Sequence, residues 1–151
     1  MKGCLACDLT SGRVALPGGM VAEEHGWVVE HCVGPLGLGT LIVKPRRHVE
    51  HVANLSDDEA LAMGRVLQQA AQIVGRLTDP DQVYVCLWSH ASRRPGHIHY
   101  VVQPVHLSTV EEFDAHGPRL QAMMFDKGEF PAAAAVTEFV AEARSHWQAS
   151  S

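Results

Sequence analysis

Two short stretches rich in β-branched and aromatic residues lie close together in the first third of the chain. Residues 27–33 (WVVEHCV) and 40–43 (TLIV) are separated by the turn-forming residues 34–37 (GPLG). Stretches of this composition joined by a short breaker favour a hairpin-like pair of strands. Two more stretches with the same character, residues 82–88 and 97–103, follow in the second half of the chain. The pattern therefore predicts these four strands.

Apolar residues at helical spacing predict a long helix between the two strand pairs. Ser56 and Glu59 form a capping-box pattern, in which each side chain satisfies a backbone amide of the first helical turn. Intervals of three and four residues then give one apolar face, made of Ala60, Met63, Leu67, Ala70, Val74 and Leu77. Residues 78–80 (TDP) end this helix. A second amphipathic helix is predicted after Pro131. Its apolar positions are Val136, Val140, Ala143 and Trp147.

The strand predicted at residues 97–103 has two chemically different faces, because alternate side chains of a strand point to opposite sides. One face carries His97, His99, Val101 and Gln103. The other face carries Ile98, Tyr100 and Val102 and is expected to pack beneath the long helix. Strands and helices do not alternate strictly along the chain. The predicted fold class is therefore α+β, an antiparallel sheet with the long helix and the C-terminal helix on one side.

Length and charge narrow the function classes. The 151 residues fit a single domain. A formal net charge of −5 argues against duplex nucleic acid or an anionic membrane as the main partner. A small phosphorylated ligand stays compatible, because it needs only a few local donors. No apolar run is long enough for a transmembrane helix, and the start of the chain lacks an apolar signal segment. We therefore expect a cytoplasmic protein whose cysteines are thiols or metal ligands.

The first candidate for chemistry is the Cys4-Leu5-Ala6-Cys7 motif. A C-x-x-C turn brings two sulfur atoms within reach of one ion, and Zn²⁺ takes four nitrogen or sulfur ligands at tetrahedral corners. Two further ligands would have to come from histidines elsewhere in the chain. A redox dithiol and two incidental cysteines are the alternative interpretations. A redox motif is expected between a strand and a helix, and nothing strand-like precedes Cys4.

The second candidate is the pair His97 and His99, which the strand places on one face about 6–7 Å apart. The pair could serve one metal site, or divide into one ligand and one reacting group. Ser92, Arg93 and Arg94 precede it, and guanidinium groups beside imidazoles suit a bound phosphate. The alternative is a solvated histidine pair beside an ordinary charged loop.

Three stretches in this order resemble the histidine triad superfamily of nucleotide hydrolases and transferases, in its zinc-containing bacterial-type branch. They are the cysteine motif, residues 39–48 (GTLIVKPRRH) and residues 97–104 (HIHYVVQP). The resemblance covers about residues 4–105 and leaves about 106–151 as a C-terminal helical extension of one domain. It implies a structural zinc ion with four ligands, which are Cys4, Cys7, His48 and His97.

The resemblance also implies a reaction, a ligand and a partner. His99 matches the middle histidine of the triad, which attacks the α-phosphorus of a nucleotide and forms a covalent nucleotidyl-histidine. The implied ligand is therefore a small nucleotide or phosphorylated compound. The family pairs its sheets across a two-fold axis, which implies a homodimer through the strand at residues 82–88 and the helix from Asp57. Tyr84 and Trp88 would supply its apolar anchors.

Several positions depart from the family pattern. Val101 stands at the third triad position, and Thr40 stands where the family has another histidine. Cys32 falls about where an acidic ribose-binding residue is expected. The Gly-Gln-Ser/Thr turn before the triad is replaced by the Ser92-Arg93-Arg94 segment, so two arginines are gained where histidines are lost.

Three functions remain open from the sequence. The first is a hydrolase or nucleotidyl transferase acting through His99, which the histidine and the two nearby arginines favour. The second is a non-catalytic, zinc-stapled regulatory module that binds a nucleotide or phosphate, which Val101 and Thr40 favour. The third is a redox or zinc-responsive protein using Cys4 and Cys7, and it needs a dithiol that zinc ligation would block.

Overall fold

The computed structural model describes residues 3–89 and 96–150, and its centre is a five-stranded antiparallel sheet. The strands lie in the order β1-β2-β3-β5-β4. They are β1 (Met20–Glu24), β2 (Trp27–His31), β3 (Leu41–Pro45), β4 (Gln82–Trp88) and β5 (His99–Val105). The four predicted strands are all present, and β2 and β3 pair as expected. The additional strand, β1, contains two glutamates and forms against β2, so its own sequence pattern is weak.

Five α-helices accompany the sheet in the described residues. They are α1 (Leu5–Thr10), α2 (Asp57–Thr78), α3 (Leu107–Phe113), α4 (Gly117–Lys127) and α5 (Ala133–Ala149). The predicted long helix and the predicted C-terminal helix correspond to α2 and α5. The described helices include none with the length and apolar character needed to cross a membrane.

The capping box predicted for α2 is confirmed. The Ser56 side chain accepts a hydrogen bond from the amide of Glu59, and the Glu59 carboxylate accepts one from the amide of Ser56. The buried stripe of α2 is centred on Val66, Ala70 and Val74. It is somewhat rotated from the predicted face, since the predicted core residue Ala60 is exposed. The capping residues therefore fix where the helix begins, while packing selects the face that it buries.

Helices α2 and α5 pack on the same side of the sheet, as predicted. Their main core includes Val66, Ile73 and Val74 of α2 and Phe139, Val140, Ala143 and Trp147 of α5. Trp27, Leu41, Val43 and Val102 complete it from the sheet. The C-terminal helix is thus an integral part of the core formed by residues 4–105.

The opposite side of the sheet is also covered in part, which the sequence pattern does not predict. Leu120 of α4 is fully buried and packs with Val105 and Tyr84. Met124 of the same helix packs against a small apolar cluster that includes Val101. Helices therefore lie on both sides of the sheet, with α4 opposite the α2 and α5 layer.

His31 is a buried histidine at the end of β2, and both of its ring nitrogens are satisfied. Nδ1–H donates to the carbonyl of Cys32 at 2.8 Å, and Nε2 accepts from the amide of Gly39 at 3.0 Å. The ring also packs edge-on against Phe139 at 5.8 Å between centroids. Burial lowers the pKa of His31, because the charged ring would be removed from water. A second ring proton, on Nε2, would also face the amide hydrogen of Gly39 and find no acceptor.

This environment makes His31 a source of pH-dependent stability. The lowered pKa means that the unfolded chain takes up the proton first, so stability is lost as the pH falls below about 6.5. We expect urea unfolding of the wild type to give a smaller unfolding free energy at pH 5.5 than at pH 7.5. One such group contributes at most about 1.4 kcal/mol per pH unit.

The variant His31→Leu should be less stable at both pH values but should show a smaller difference between them. His51→Leu is the matched control, because His51 is exposed, and it should keep the wild-type difference. An unchanged pH dependence in His31→Leu would contradict this account.

Candidate metal centre and reactive histidine

Helix α1 places the two sulfur atoms of the cysteine motif on one side of its first turn. Cys4 is the N-cap residue of α1, and Cys7 lies three residues later, which is close to one helical turn. Both cysteines are buried and neither forms a disulfide. The motif therefore presents two thiol groups toward the interior of the protein.

Two distant histidines complete this cluster. His48 follows the end of β3, and His97 lies just before β5. The Nδ1 atom of His97 is 3.7 Å from Sγ of Cys4 and 3.5 Å from Sγ of Cys7, and Nδ1 of His48 is 3.5 Å from Sγ of Cys7. The four potential ligand atoms all lie within 4.8 Å of one another. The structure thus brings the four predicted ligands together.

The spacing and chemistry of this cluster fit a tetrahedral zinc ion. Zn–S distances of about 2.3 Å and Zn–N distances of about 2.0–2.1 Å place sulfur and nitrogen about 3.6 Å apart at tetrahedral corners. The three sulfur–nitrogen distances are 3.5, 3.5 and 3.7 Å. Two sulfur and two imidazole ligands form a closed set, which is typical of structural rather than catalytic sites.

The outer nitrogen of each histidine in the cluster has its own partner. Nε2–H of His97 donates to the carbonyl of Pro45 at 2.9 Å, and Nε2 of His48 is 3.3 Å from a carboxylate oxygen of Glu50. Such contacts orient a ligating imidazole and leave Nδ1 for the metal. Burial lowers the pKa of His97 to about 4, so its ring is neutral at pH 7. No pattern in the sequence predicts that Pro45 and Glu50 orient these two imidazole rings.

The same environment weighs against the redox interpretation of the cysteine motif. Burial, and then the neighbouring Cys4, raises the pKa of the Cys7 thiol. Reactive dithiols generally have lowered thiol pKa values and some exposure to solvent. A buried pair facing two imidazoles fits metal binding better.

An ion pair outside the cluster fixes the segment that carries His48. The guanidinium of Arg47 donates to both carboxylate oxygens of Glu59, at 2.8 and 2.6 Å. This contact ties the residue before His48 to the first turn of α2. The amide of Ile98 also donates to the carbonyl of Val49 at 2.9 Å, so the segments around His48 and His97 are joined directly. The sequence pattern identifies Glu59 only as a capping residue.

His99 lies at the start of β5, opposite Trp88 of β4, and is half-buried. Its Nδ1–H donates to the carbonyl of His97 at 3.0 Å. Of the two neutral tautomers, that contact favours the one with the proton on Nδ1 and the lone pair on Nε2. Neighbouring histidines of one motif are therefore arranged differently, His97 toward the cysteines and His99 toward a backbone carbonyl.

Three described positions that depart from the histidine triad pattern, Val101, Cys32 and Thr40, serve packing in this chain. Val101 and Cys32 are buried in one apolar cluster with Leu36, and Met124 of α4 packs against it. The Thr40 hydroxyl is fully buried and donates to the carbonyl of Leu36 at 2.8 Å. None of these side chains replaces a lost histidine, because each is already engaged in the core.

A network of buried side-chain amides holds α4 on the face of the sheet that carries His99 and Val101. The Trp88 indole N–H donates to Gln121, Gln121 donates to Gln103, and Gln103 donates to the carbonyl of Leu36, at 3.0, 3.0 and 3.2 Å. The Trp88 ring also packs on Phe125, with centroids 5.6 Å apart. Gln103 is thus a structural residue that connects β5 to α4.

The remaining predicted site residues, Ser92, Arg93 and Arg94, lie outside the described residues. Their assignment to phosphate binding stays a prediction. Tyr84 and Trp88, the proposed interface anchors, lie within the described residues. Both pack against the chain's own α4 region. The exposed large apolar side chains of β4 are instead Val85 and Leu87.

Several solved structures share this architecture. A zinc-bound histidine triad family protein from Mycobacterium smegmatis matches with a TM-score of 0.68 and 15% identity, covering 98% of this chain and 97% of that chain. A Hit-like protein involved in cell-cycle regulation from Bartonella henselae matches with a TM-score of 0.68 and 13% identity, covering 92% of each chain. A hypothetical histidine triad nucleotide-binding protein from Sulfolobus tokodaii has a TM-score of 0.66 and 16% identity, covering 95% and 91%.

The similarity to these proteins lies in the fold rather than in the sequence. No protein-family model matches the chain, and no curated protein matches it in sequence. The structural matches nevertheless extend over nearly the whole length of both partners. The five-stranded antiparallel sheet and its helices therefore give this chain the fold of the histidine triad proteins.

Proposed function

We propose that this protein is a nucleotide hydrolase or nucleotidyl transferase of the histidine triad type, with His99 as its nucleophile. The observation that carries the proposal is the hydrogen bond from Nδ1–H of His99 to the carbonyl of His97. It holds the imidazole in the tautomer whose Nε2 lone pair can attack phosphorus. The same carbonyl can stabilise the positive charge that develops on the ring during attack.

The proposed reaction has two steps. Nε2 of His99 forms a bond to the α-phosphorus while the bond from phosphorus to the leaving group breaks, and the leaving group departs with the electron pair. Water or another acceptor then attacks the nucleotidyl-histidine and releases the ring. Arg93 and Arg94 are proposed to neutralise the phosphate oxygens, because a guanidinium can meet two of them at once.

The loss of histidine at the third triad position affects the leaving group. Val101 can neither donate nor accept a proton, and arginine stays protonated at neutral pH. A leaving group that needs protonation should therefore depart slowly. We propose activated nucleotide esters and phosphoramidates as better substrates than dinucleoside polyphosphates.

A structural zinc ion bound by Cys4, Cys7, His48 and His97 is part of the proposal. The sulfur–nitrogen distances, the closed ligand set and the partners of the outer imidazole nitrogens support it. A zinc-bound protein is also among the structural matches. When bound, the ion would supply a cross-link between α1 and the sheet rather than a reactive centre.

A non-catalytic, zinc-stapled module that binds a nucleotide or phosphate is the second candidate function. It is favoured by the burial of Val101, Cys32 and Thr40, since residues locked in a core cannot assist a reaction. In this alternative His99 would contact the ligand as a hydrogen-bonding group. We further propose a cytoplasmic homodimer whose partners include neither duplex nucleic acid nor a membrane.

The zinc proposal predicts one ion per chain in the purified protein. Elemental analysis should detect zinc in the wild type, and Cys7→Ala and His97→Ala should lower both zinc content and thermal stability, because each removes one of four ligands. Cys86→Ala is the matched control, since Cys86 lies on β4 outside the cluster, and it should retain zinc. Zinc-free wild-type protein with freely alkylated Cys4 and Cys7 would refute the site.

The catalytic proposal predicts a covalent label on His99. A nucleoside phosphoramidate labelled at its α-phosphate should give a transient, acid-labile adduct on the wild type. His99→Ala should form no adduct and lose more than about a thousandfold in turnover, because the nucleophile is absent. Its zinc content and melting temperature should stay close to wild type.

His116→Ala is the control for this experiment, because His116 is an exposed histidine at the start of α4. It should label and turn over as the wild type does. Turnover that survives in His99→Ala would rule out His99 as the nucleophile. Ligand binding without turnover in the wild type would leave the regulatory module as the better account.

The proposed homodimer would use exposed apolar side chains of β4 other than Tyr84 and Trp88, the two that the sequence suggests. Strand β4 lies at one edge of the sheet and exposes Val85 and Leu87. Light scattering at micromolar concentration should give twice the chain mass, and Leu87→Asp should give the mass of one chain, because it places a charge in an apolar contact. Val14→Asp, at an exposed site away from β4, should remain dimeric. A monomeric wild type would contradict the proposal.

A further inference from the structure

A buried ion pair lies on the sheet next to the proposed metal site. Lys44 of β3 and Glu30 of β2 are 2.6 Å apart between Nζ and Oε1, and their side chains are 1% and 2% exposed. Both charges have therefore been removed from water. Removing charges from water costs several kcal/mol per ion, and the attraction between them often does no more than offset that cost.

The ammonium group of Lys44 has a second partner in the cysteine motif. Its Nζ donates to the carbonyl of Ala6 at 2.8 Å. Ala6 lies between Cys4 and Cys7, so this hydrogen bond attaches the backbone of the motif to β3 without using any metal ligand. The contact spans 38 positions of the chain, so it is a product of tertiary folding.

The carboxylate of Glu30 is only half satisfied in its hydrogen bonding. Its Oε1 accepts the Lys44 ammonium, whereas its buried Oε2 has no hydrogen-bond partner among the described residues. Burial raises the pKa of Glu30, although the charge of Lys44 acts in the opposite direction. A pair of apolar residues would fill the same space without an unsatisfied oxygen. Stability of the core therefore does not explain why a charged pair occupies this position. The hydrogen bond from Lys44 to the Ala6 carbonyl does.

We infer that Lys44 is a positioning residue for the metal site, held in place by Glu30 and holding the Ala6 carbonyl in turn. The inference rests on the zinc site proposed above. By fixing the backbone between the cysteines, Lys44 sets the position of both sulfur atoms relative to His48 and His97. The site is thereby preorganised, so less ordering of α1 is needed when the ion binds.

The test compares zinc affinity with the stability of the zinc-free fold. Lys44→Met/Glu30→Leu removes both charges while keeping side-chain bulk, which avoids leaving one charge buried alone. Competition with a chromophoric chelator should show zinc binding weakened by about 10-fold to 100-fold, the range found when groups that support metal ligands are removed. Urea unfolding of the chelator-treated protein should give a midpoint close to that of the wild type.

Two further variants keep the test informative. Glu30→Gln leaves the Lys44 ammonium without a counter-ion and should lower the stability of the zinc-free fold. It retains a carbonyl oxygen for the ammonium and the donor to Ala6, so the folded variant should bind zinc within about threefold of the wild type. Lys44→Met/Glu30→Gln loses the donor to Ala6 but keeps a polar side chain at position 30, and it should show the weakened affinity even if the Leu-containing variant does not fold. Arg13→Met removes an exposed ion pair with Asp8 of α1 and is the matched control, with wild-type affinity expected.

Cobalt substitution supplies a second readout, because the d–d spectrum reports the geometry around the ion. The wild type should give a tetrahedral spectrum, and the Lys44→Met variants should give a weaker or shifted one. Unchanged affinity and spectrum in these variants would overturn the role of Lys44 while leaving the zinc site intact. A loss of affinity matched by an equal loss of zinc-free stability would also overturn it. A wild type that binds no zinc would overturn the site itself.

Discussion

The antiparallel pairing of β3 with β5 is the constraint on which the rest of the site depends. The register places Val43 opposite Tyr100, so the end of β3 lies beside the segment that enters β5. His97 consequently reaches the carbonyl of Pro45, and Ile98 donates to Val49 just beyond β3. This pairing brings together residues about fifty positions apart, and the cysteine motif then closes over them. A different register would separate the two imidazoles, because a shift of one residue reverses the direction of every side chain.

His97 and His99, two positions apart on this framework, are oriented differently because their ring nitrogens meet different partners. The outer nitrogen of His97 donates to Pro45, which directs Nδ1 toward the cysteines. His99 donates from Nδ1 to the carbonyl of His97, which leaves its lone pair on Nε2. The backbone carbonyl of His97 thus sets the tautomer of His99, and a metal bound to the cluster would stabilise the segment that carries His99. The proposed structural role of His97 and the proposed chemical role of His99 are thereby linked through a single short stretch of chain.

On the same face beyond His99, the side chains serve packing and buried hydrogen bonds. Val101 joins Cys32 and Leu36 in a cluster against which Met124 of α4 packs. The amides of Gln103 and Gln121 are satisfied by each other, by Trp88 and by Leu36 rather than by a ligand. Because buried amides are costly to leave unpaired, this network holds α4 firmly on the sheet.

Elements with local signals could be predicted from the amino-acid sequence. The capping box and the three-and-four spacing fixed α2, β-branched runs fixed β2 to β5, and alternation fixed which side of β5 carries His99. The four proposed metal ligands followed from resemblance, and the structure brings them close together. Strand β1, helix α4 and the buried Lys44–Glu30 pair emerge only in the folded protein. Each owes its place to contacts made on folding rather than to a local pattern, because β1 pairs with the neighbouring β2, α4 packs on residues of β4 and β5, and Lys44 meets Glu30 across two paired strands.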